Sequence, residues 1–156
     1  MKICLDINDL NRRLDRLTGK KIVFTNGVFD ILHPGHIELL EFAGKSGDCL
    51  IVGINDDDSV KRLNKGEGRP IFPLGERMKV LAAIEFVDYI IPFSQDTPLA
   101  LINGLSRVDV LVKGGDYKPD EVVGRESVEQ AGGKLLLFEF KSGYSTSSLV
   151  EKVKSL

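Results

Sequence analysis

Five short apolar runs alternate with segments of helical character along the chain, at 21–25 (KIVFT), 48–54 (DCLIVGI), 88–92 (DYIIP), 108–113 (VDVLVK) and 134–140 (KLLLFEF). They are continuous rather than alternating, and rich in Val, Ile and Leu. A strand covered on one side shows alternating polarity. A continuous run means burial on both faces, the mark of a parallel sheet. Helical signals fall between the runs: 36–44 after Pro34, 74–86 with apolar residues at helical spacing, 97–105 opening on Thr97-Pro98, and 145–154 opening on hydroxyls. A further helix around 6–17 is expected to cover the sheet. This order predicts a three-layer, doubly wound α/β sandwich with a five-stranded parallel sheet and right-handed crossovers. No repeat or Pro/Ser-rich linker interrupts it, so one domain is expected over 1–156, with a core from about 19 to about 154.

Composition excludes several classes. The 21 Lys+Arg and 23 Asp+Glu give a net charge of −2, against the basic excess of a general nucleic-acid binder. No apolar run approaches the roughly 18 residues of a membrane span, and the N-terminus lacks the apolar stretch of a signal peptide. Cys4 and Cys49 form no C-x-x-C pair and no disulfide framework. A cytoplasmic protein with neither nucleic acid nor membrane as partner is expected. The sequence has no G-x-x-x-x-G-K-[ST] loop, no G-x-G-x-x-G after a strand and no G-x-S-x-G elbow.

In such sheets ligands bind beyond the carboxyl ends of the strands, at the switch point of the winding. After the first run comes Thr25-Asn26-Gly27-Val28-Phe29-Asp30-Ile31-Leu32-His33-Pro34-Gly35-His36. Asn26-Gly27 permits a sharp turn, Pro34 presets the first helical turn, and Gly35 lets a ligand approach the backbone. His33 and His36, the only two histidines, are three residues apart and so share one side of the helix start. With the free N–H groups there, they form a candidate anion site; the alternative is that they cap or pack. Zinc would lack a third ligand.

After the second run, Asp56-Asp57-Asp58 is either a metal-binding run or a solvated helix start. Lys61, Arg62, Lys65 and Arg69 form a cationic, glycine-containing stretch suited to closing over a triphosphate. Arg77 follows in the next helix, where pairing with an Asp is an equal reading. After the fourth run, Lys113-Gly114-Gly115-Asp116 serves either a planar base lying against backbone or a tight turn. After the fifth, Tyr144-Ser145-Thr146-Ser147 leads into the last helix, where hydroxyls and N–H groups suit phosphate.

His33-Pro34-Gly35-His36 resembles the H-x-G-H signature of the cytidylyltransferase-like nucleotidyltransferases, which have a Rossmann-like fold. The resemblance runs from about Gly19 to Lys154. It implies that His33 and His36 contact the triphosphate and stabilise charge at the α-phosphate. Asp30 matches the F-D-x-x-H position, and Arg77 matches an E-R element whose Arg supports the site. Ser142-Gly143-Tyr144-Ser145-Thr146-Ser147 is similar to the family's G-x-S-T-T, with Ser147 for the usual second Thr. By this resemblance Lys61, Lys65 and Arg77 join the histidines as catalytic residues. Thr25, Asn26, Gly27, Phe29, Asp30, Gly35, Lys113, Gly114, Gly115, Asp116 and the Tyr144–Ser147 stretch hold the nucleotide, and Asn55, Asp57, Arg62 and Arg69 hold the acceptor. Mg²⁺ is expected to travel with the triphosphate, and a homodimer is expected from the family.

Within the family, T-N-G-x-F-D-I-L-H-x-G-H, N-D-D-x-S-V-K-R-L, G-x-x-R-P and D-x-L-V-K-G-G-D-Y are most similar to the adenylyltransferases for D-glycero-β-D-manno-heptose 1-phosphate, which supply ADP-heptose for lipopolysaccharide core. A length of 156 residues leaves no space for a fused kinase, so a stand-alone form is expected. Val28 stands where the family often has Cys, and Lys65 is displaced by one from the usual K-R-L-K-G spacing. Phe140-Lys141-Ser142-Gly143 lacks the Arg that CTP-specific relatives carry before the final S-T, which favours ATP. The rival expectations are a cytidylyltransferase for glycerol 3-phosphate or phosphoethanolamine, and a non-catalytic nucleotide-binding module.

Overall fold

The computed structural model describes residues 1–63, 66, 68–115, 117–140 and 145–156. Its elements run α1 (Ile7–Leu14), β1 (Ile22–Gly27), α2 (Pro34–Lys45), β2 (Cys49–Asn55), α3 (Asp57–Arg62), α4 (Leu74–Ala82), β3 (Tyr89–Phe93), α5 (Leu99–Gly104), β4 (Val110–Gly114), a 3₁₀ turn (Pro119–Glu121), α6 (Arg125–Gln130), β5 (Lys134–Phe138) and α7 (Thr146–Lys154). All sheet pairings are parallel, in the order β3-β2-β1-β4-β5. The chain winds outward from β1 to β3, then crosses to β4 and winds the other way. The switch point therefore lies between β1 and β4.

Alternate residues of each strand feed two cores. Ile22, Phe24, Cys49, Ile51 and Leu111 pack with α1, α5 and α6, through residues such as Leu10, Leu101 and Val128. Val23, Leu50, Val52, Ile90 and Val110 pack with α2 and α4, through Leu40, Ala43 and Leu81. Every residue of β2 is buried, which is why its sequence shows no alternation. The expected three-layer, doubly wound α/β sandwich is the observed fold.

Element ends shift by a few residues. The first helix stops at Leu14 rather than near 17, and α4 stops at Ala82 rather than 86. The crossover helix α6 gives almost no sequence signal. It is six residues long, buries only Val128, and starts at Gly124 with no side-chain cap. Among the described residues, no helix is long and apolar enough to cross a membrane.

Candidate active site

The loop from β1 into α2 forms the floor of a cleft over the switch point. His33 is the N-cap of α2 and Pro34 its first residue. His33 is 8% exposed and its Nδ1 has no hydrogen-bond partner among the described residues. The His36 ring stacks on it, with centroids 3.8 Å apart and planes 27° apart. His36 Nδ1 accepts a long hydrogen bond of 3.4 Å from the His33 backbone N–H. A neutral ring that accepts at Nδ1 carries its proton on Nε2, which makes that nitrogen a donor. Burial lowers the pKa of the His33 imidazole from its ordinary value, which favours its neutral form.

Gly35 leaves space for this arrangement. A Cβ there would lie 3.2 Å from His33 Cε1 and Nδ1 and 3.3 Å from the Phe140 ring. Gly114 has a similar role at the end of β4, where a Cβ would meet Phe140 Cζ at 2.8 Å. Phe29 and Ile31 have φ of 50° and 52°, in the left-handed region that L side chains, and β-branched ones above all, disfavour. They flank Asp30, whose contacts hold the loop in that shape.

Asp30 is buried. It accepts from Arg69 Nε at 2.7 Å, Ile71 N–H at 2.7 Å and Phe72 N–H at 3.0 Å. The Asp30 carbonyl accepts from Thr146 Oγ1 at 2.9 Å. One residue thus ties the β1–α2 loop to the 69–72 segment and to the start of α7. Arg77 is a second tie. It is 2% exposed and donates to the carbonyls of Val28 (2.7 Å), Asn55 (2.8 Å) and Phe72 (2.9 Å) and to Asp57 Oδ1 (2.7 Å).

The structure brings most of the expected residues together. A cavity of about 340 Å³ is bordered by Asn26, Gly27, Phe29, Asp30, His33 and His36 on the β1 side. Its other wall includes Arg69, Lys113, Gly114, Ser145, Thr146 and Ser147. Ser145 caps α7 by accepting from Ser148 N–H at 3.0 Å. Gly35 lies beneath the His33 ring, and Gly115 continues from β4 with φ +122°. Thr25 is fully buried inside β1 and does not border this cavity; its Oγ1 has no partner among the described residues.

Other expected residues have partners of their own. Lys61 pairs with Asp58 at 3.0 Å on the exposed side of α3. Arg62 pairs with Asp96 at 2.7 Å and also bonds the Ser94 carbonyl. Asp56 caps α3 at Ser59 N–H, at 2.8 Å. Asn55 bonds Ser59 Oγ at 2.9 Å. Lys65, Asp116 and Tyr144 lie outside the described residues.

A second cavity of about 240 Å³ adjoins the first, sharing Asn26, Gly27, Val28, Lys113 and Tyr117 with it. Asn55, Asp96, Thr97 and Glu121 line its far side. Asp96, Thr97 and Glu121 carry no motif that marks them as site residues; Thr97 reads only as a helix opening. A wider hollow of about 590 Å³ along the 3₁₀ turn and α6 shares Val122 and Val123 with the second cavity, and its Arg125 is committed to Asp120 and Glu129.

A family model described as Cytidylyltransferase-like matches residues 24–152. The Bifunctional protein HldE of Haemophilus influenzae (strain PittEE) is 56% identical over 138 residues, 88% of this chain and 29% of that protein. The HldE protein of Salmonella paratyphi A (strain ATCC 9150 / SARB42) is 52% identical over 140 residues, 90% of this chain and again 29% of its relative. The chain therefore spans under a third of the length of these relatives. The lipopolysaccharide core biosynthesis protein from Thermoplasma volcanium GSS1 superposes with a TM-score of 0.63 at 30% identity, over 81% of this chain and 100% of that one. Pantoate-beta-alanine ligase from Francisella tularensis shares the fold, with a TM-score of 0.65 at 18% identity, over 100% of this chain and 73% of that one.

These matches, with a histidine pair set over the switch point, define the class of the chain. It belongs to the cytidylyltransferase-like family.

Proposed function

We propose that this chain transfers AMP from Mg·ATP to D-glycero-β-D-manno-heptose 1-phosphate, releasing pyrophosphate and forming ADP-heptose for lipopolysaccharide core. The stacked His33–His36 pair at the start of α2, facing a cleft with two adjoining cavities, carries this reading. The heptose acceptor is supported by the motif set of the sequence and by the likeness to a protein named for lipopolysaccharide core biosynthesis.

The nucleophile is a phosphate oxygen, already ionised near neutral pH, so the site needs no general base. The oxygen bonds to the α-phosphorus, the bond to the bridging oxygen of the β-phosphate breaks, and pyrophosphate leaves with the electron pair. What remains for the protein is in-line positioning and stabilisation of charge. His36 serves as an Nε2–H donor to the phosphates, with the first-turn N–H groups of α2 and α7 beside it. Asp30 and Arg77 act as positioning residues: they fix the loop that carries the histidines. Among the described residues no group of three or more His, Cys, Asp or Glu is set to hold a metal ion. Asp56, Asp57 and Asp58 are each engaged in a cap or an ion pair. In this reading Mg²⁺ is part of the nucleotide substrate.

The test is pyrophosphate release with ATP or CTP crossed with heptose 1-phosphate, glycerol 3-phosphate and phosphoethanolamine. ATP with heptose 1-phosphate is expected to give the fastest release. Faster release with CTP and another acceptor overturns the substrate assignment, and nucleotide binding without any release favours a non-catalytic module.

The His33 environment gives a pH prediction. The folded chain prefers the neutral ring, so it binds this proton at lower pH than the unfolded chain does. Stability therefore falls as pH drops through the usual histidine range, and the loss levels off below the lowered folded value. A bound triphosphate opposes the shift, because anionic charge favours the imidazolium. NMR titration of His33 Cε1–H is expected to show a depressed midpoint that rises when ATP is added. A midpoint at or above the ordinary value without nucleotide would contradict the burial argument.

A further inference from the structure

The two cavities meet along the line where the sheet reverses its winding, and Lys113 stands on that line. It is the penultimate residue of β4 and borders both cavities. Register with Leu137 fixes its backbone within the sheet. Its Nζ lies 3.5 Å from Asn26 Oδ1, at the end of β1, and 5.3 Å from the centroid of the Tyr117 ring. Asn26 and Tyr117 also border both cavities, so the residues that steady the ammonium are themselves part of the junction.

The distribution of charge gives the position meaning. Among the described residues lining the second cavity, Lys113 is the only cation; Asp96 and Glu121 are the acids. In the first cavity, the other described cation is Arg69, whose guanidinium is held by the buried Asp30. Lys61 and Arg62, on α3, border neither cavity and face Asp58 and Asp96.

We propose that Lys113 is a catalytic residue that touches both the attacking phosphate and the α-phosphate, and that the second cavity takes the polyhydroxyl body of a phosphorylated acceptor. This rests on the transfer reaction proposed above. In that reaction two anionic phosphates must come within bonding distance, and their repulsion is greatest where the two sites meet. A cation fixed at the junction neutralises both at once, and it does so most fully when the new bond forms. A cation deep in either cavity would serve one substrate only. Beyond the junction, Asn55, Asp96, Thr97 and Glu121 offer amide, carboxylate and hydroxyl groups, which suit sugar hydroxyls rather than a second charged group.

Lys113→Met keeps most of the side-chain volume and removes the charge; Lys113→Arg keeps the charge. Both are made in the full chain and compared by initial rates of pyrophosphate release and by calorimetric binding of α,β-methylene ATP. K113M is expected to lower kcat by at least about tenfold and raise the KM for heptose 1-phosphate, with nucleotide Kd within about threefold of wild type. K113R is expected to retain a higher rate than K113M. A folded K113M with unchanged kcat and acceptor KM overturns the inference. So does a loss of nucleotide affinity that accounts for the whole loss of rate, since Lys113 would then serve only the nucleotide. If K113M lacks a cooperative thermal transition, Lys113→Gln carries the same measurements. A wild-type chain that releases no pyrophosphate with any acceptor overturns the proposed function and this inference with it. An active wild type beside an indifferent K113M overturns the inference alone.

Discussion

His36→Ala lowers the rate of pyrophosphate release by at least about tenfold, and by up to about a thousandfold, the scale of losing one donor aimed at developing charge. The ring lines the nucleotide-sized cavity, stacks on His33 and leans on Phe29, with centroids 5.4 Å apart. Its Nδ1 already accepts from the His33 backbone, so the proton on Nε2 is what the ring offers a phosphate. An alanine removes that donor and leaves half of the pair. His36 is only partly buried, so the fold should tolerate the change. Initial rates, with circular dichroism as the check on folding, decide it. A folded His36→Ala protein with unchanged turnover would remove His36 from the mechanism.

Arg77→Ala has the larger effect on stability. Its guanidinium is 2% exposed and satisfies three carbonyls and one carboxylate, at the ends of β1 and β2 and before α4. Truncation leaves those oxygens without their donor in a space too enclosed for full hydration. A loss of roughly 3 kcal/mol or more is expected, near the lower end for breaking a buried charged network because Asp57 stays partly exposed. In a domain of this size that lowers the thermal midpoint by about 6–12 °C. Arg77→Lys should recover little, since one ammonium cannot reach four acceptors spread around a planar group. A midpoint within about 2 °C of wild type would show that the network contributes nothing net.

Much of the site was legible before any coordinates. The continuous apolar runs announced strands buried on both faces, and the stretch from Asn26 to His36 announced a turn feeding a helix start with two imidazoles on one side. These signals are local. A continuous apolar run, a period of 3.6 residues, a proline at the first helical position and a glycine under a ring are each set by neighbours within a few residues. The hydroxyls at Ser145 and Thr146 were legible for the same reason.

Charge partners were not. Lys61 and Arg62 read as part of a cationic stretch suited to closing over a triphosphate, and the structure pairs them with Asp58 and Asp96. For Arg77 the pairing with an Asp is one of the two readings and is the one seen, with Asp57, but its bonds to Val28 and Asn55, 49 and 22 residues away, have no local signal. Asp30 reads as a ligand contact; it borders the cavity and also binds the segment from Arg69 to Phe72. Lys61 finds its partner within its own helix turn, but the others join strand ends and loops that meet only when the sheet is wound. The sequence alone determined the layers, the parallel sheet and the histidine pair, because continuous apolar runs and helix starts are encoded residue by residue. Only the tertiary structure decided which cations face the cleft. That follows from the strand order, which sets β1 beside β4 and so brings Asn26 and Lys113 to the same edge.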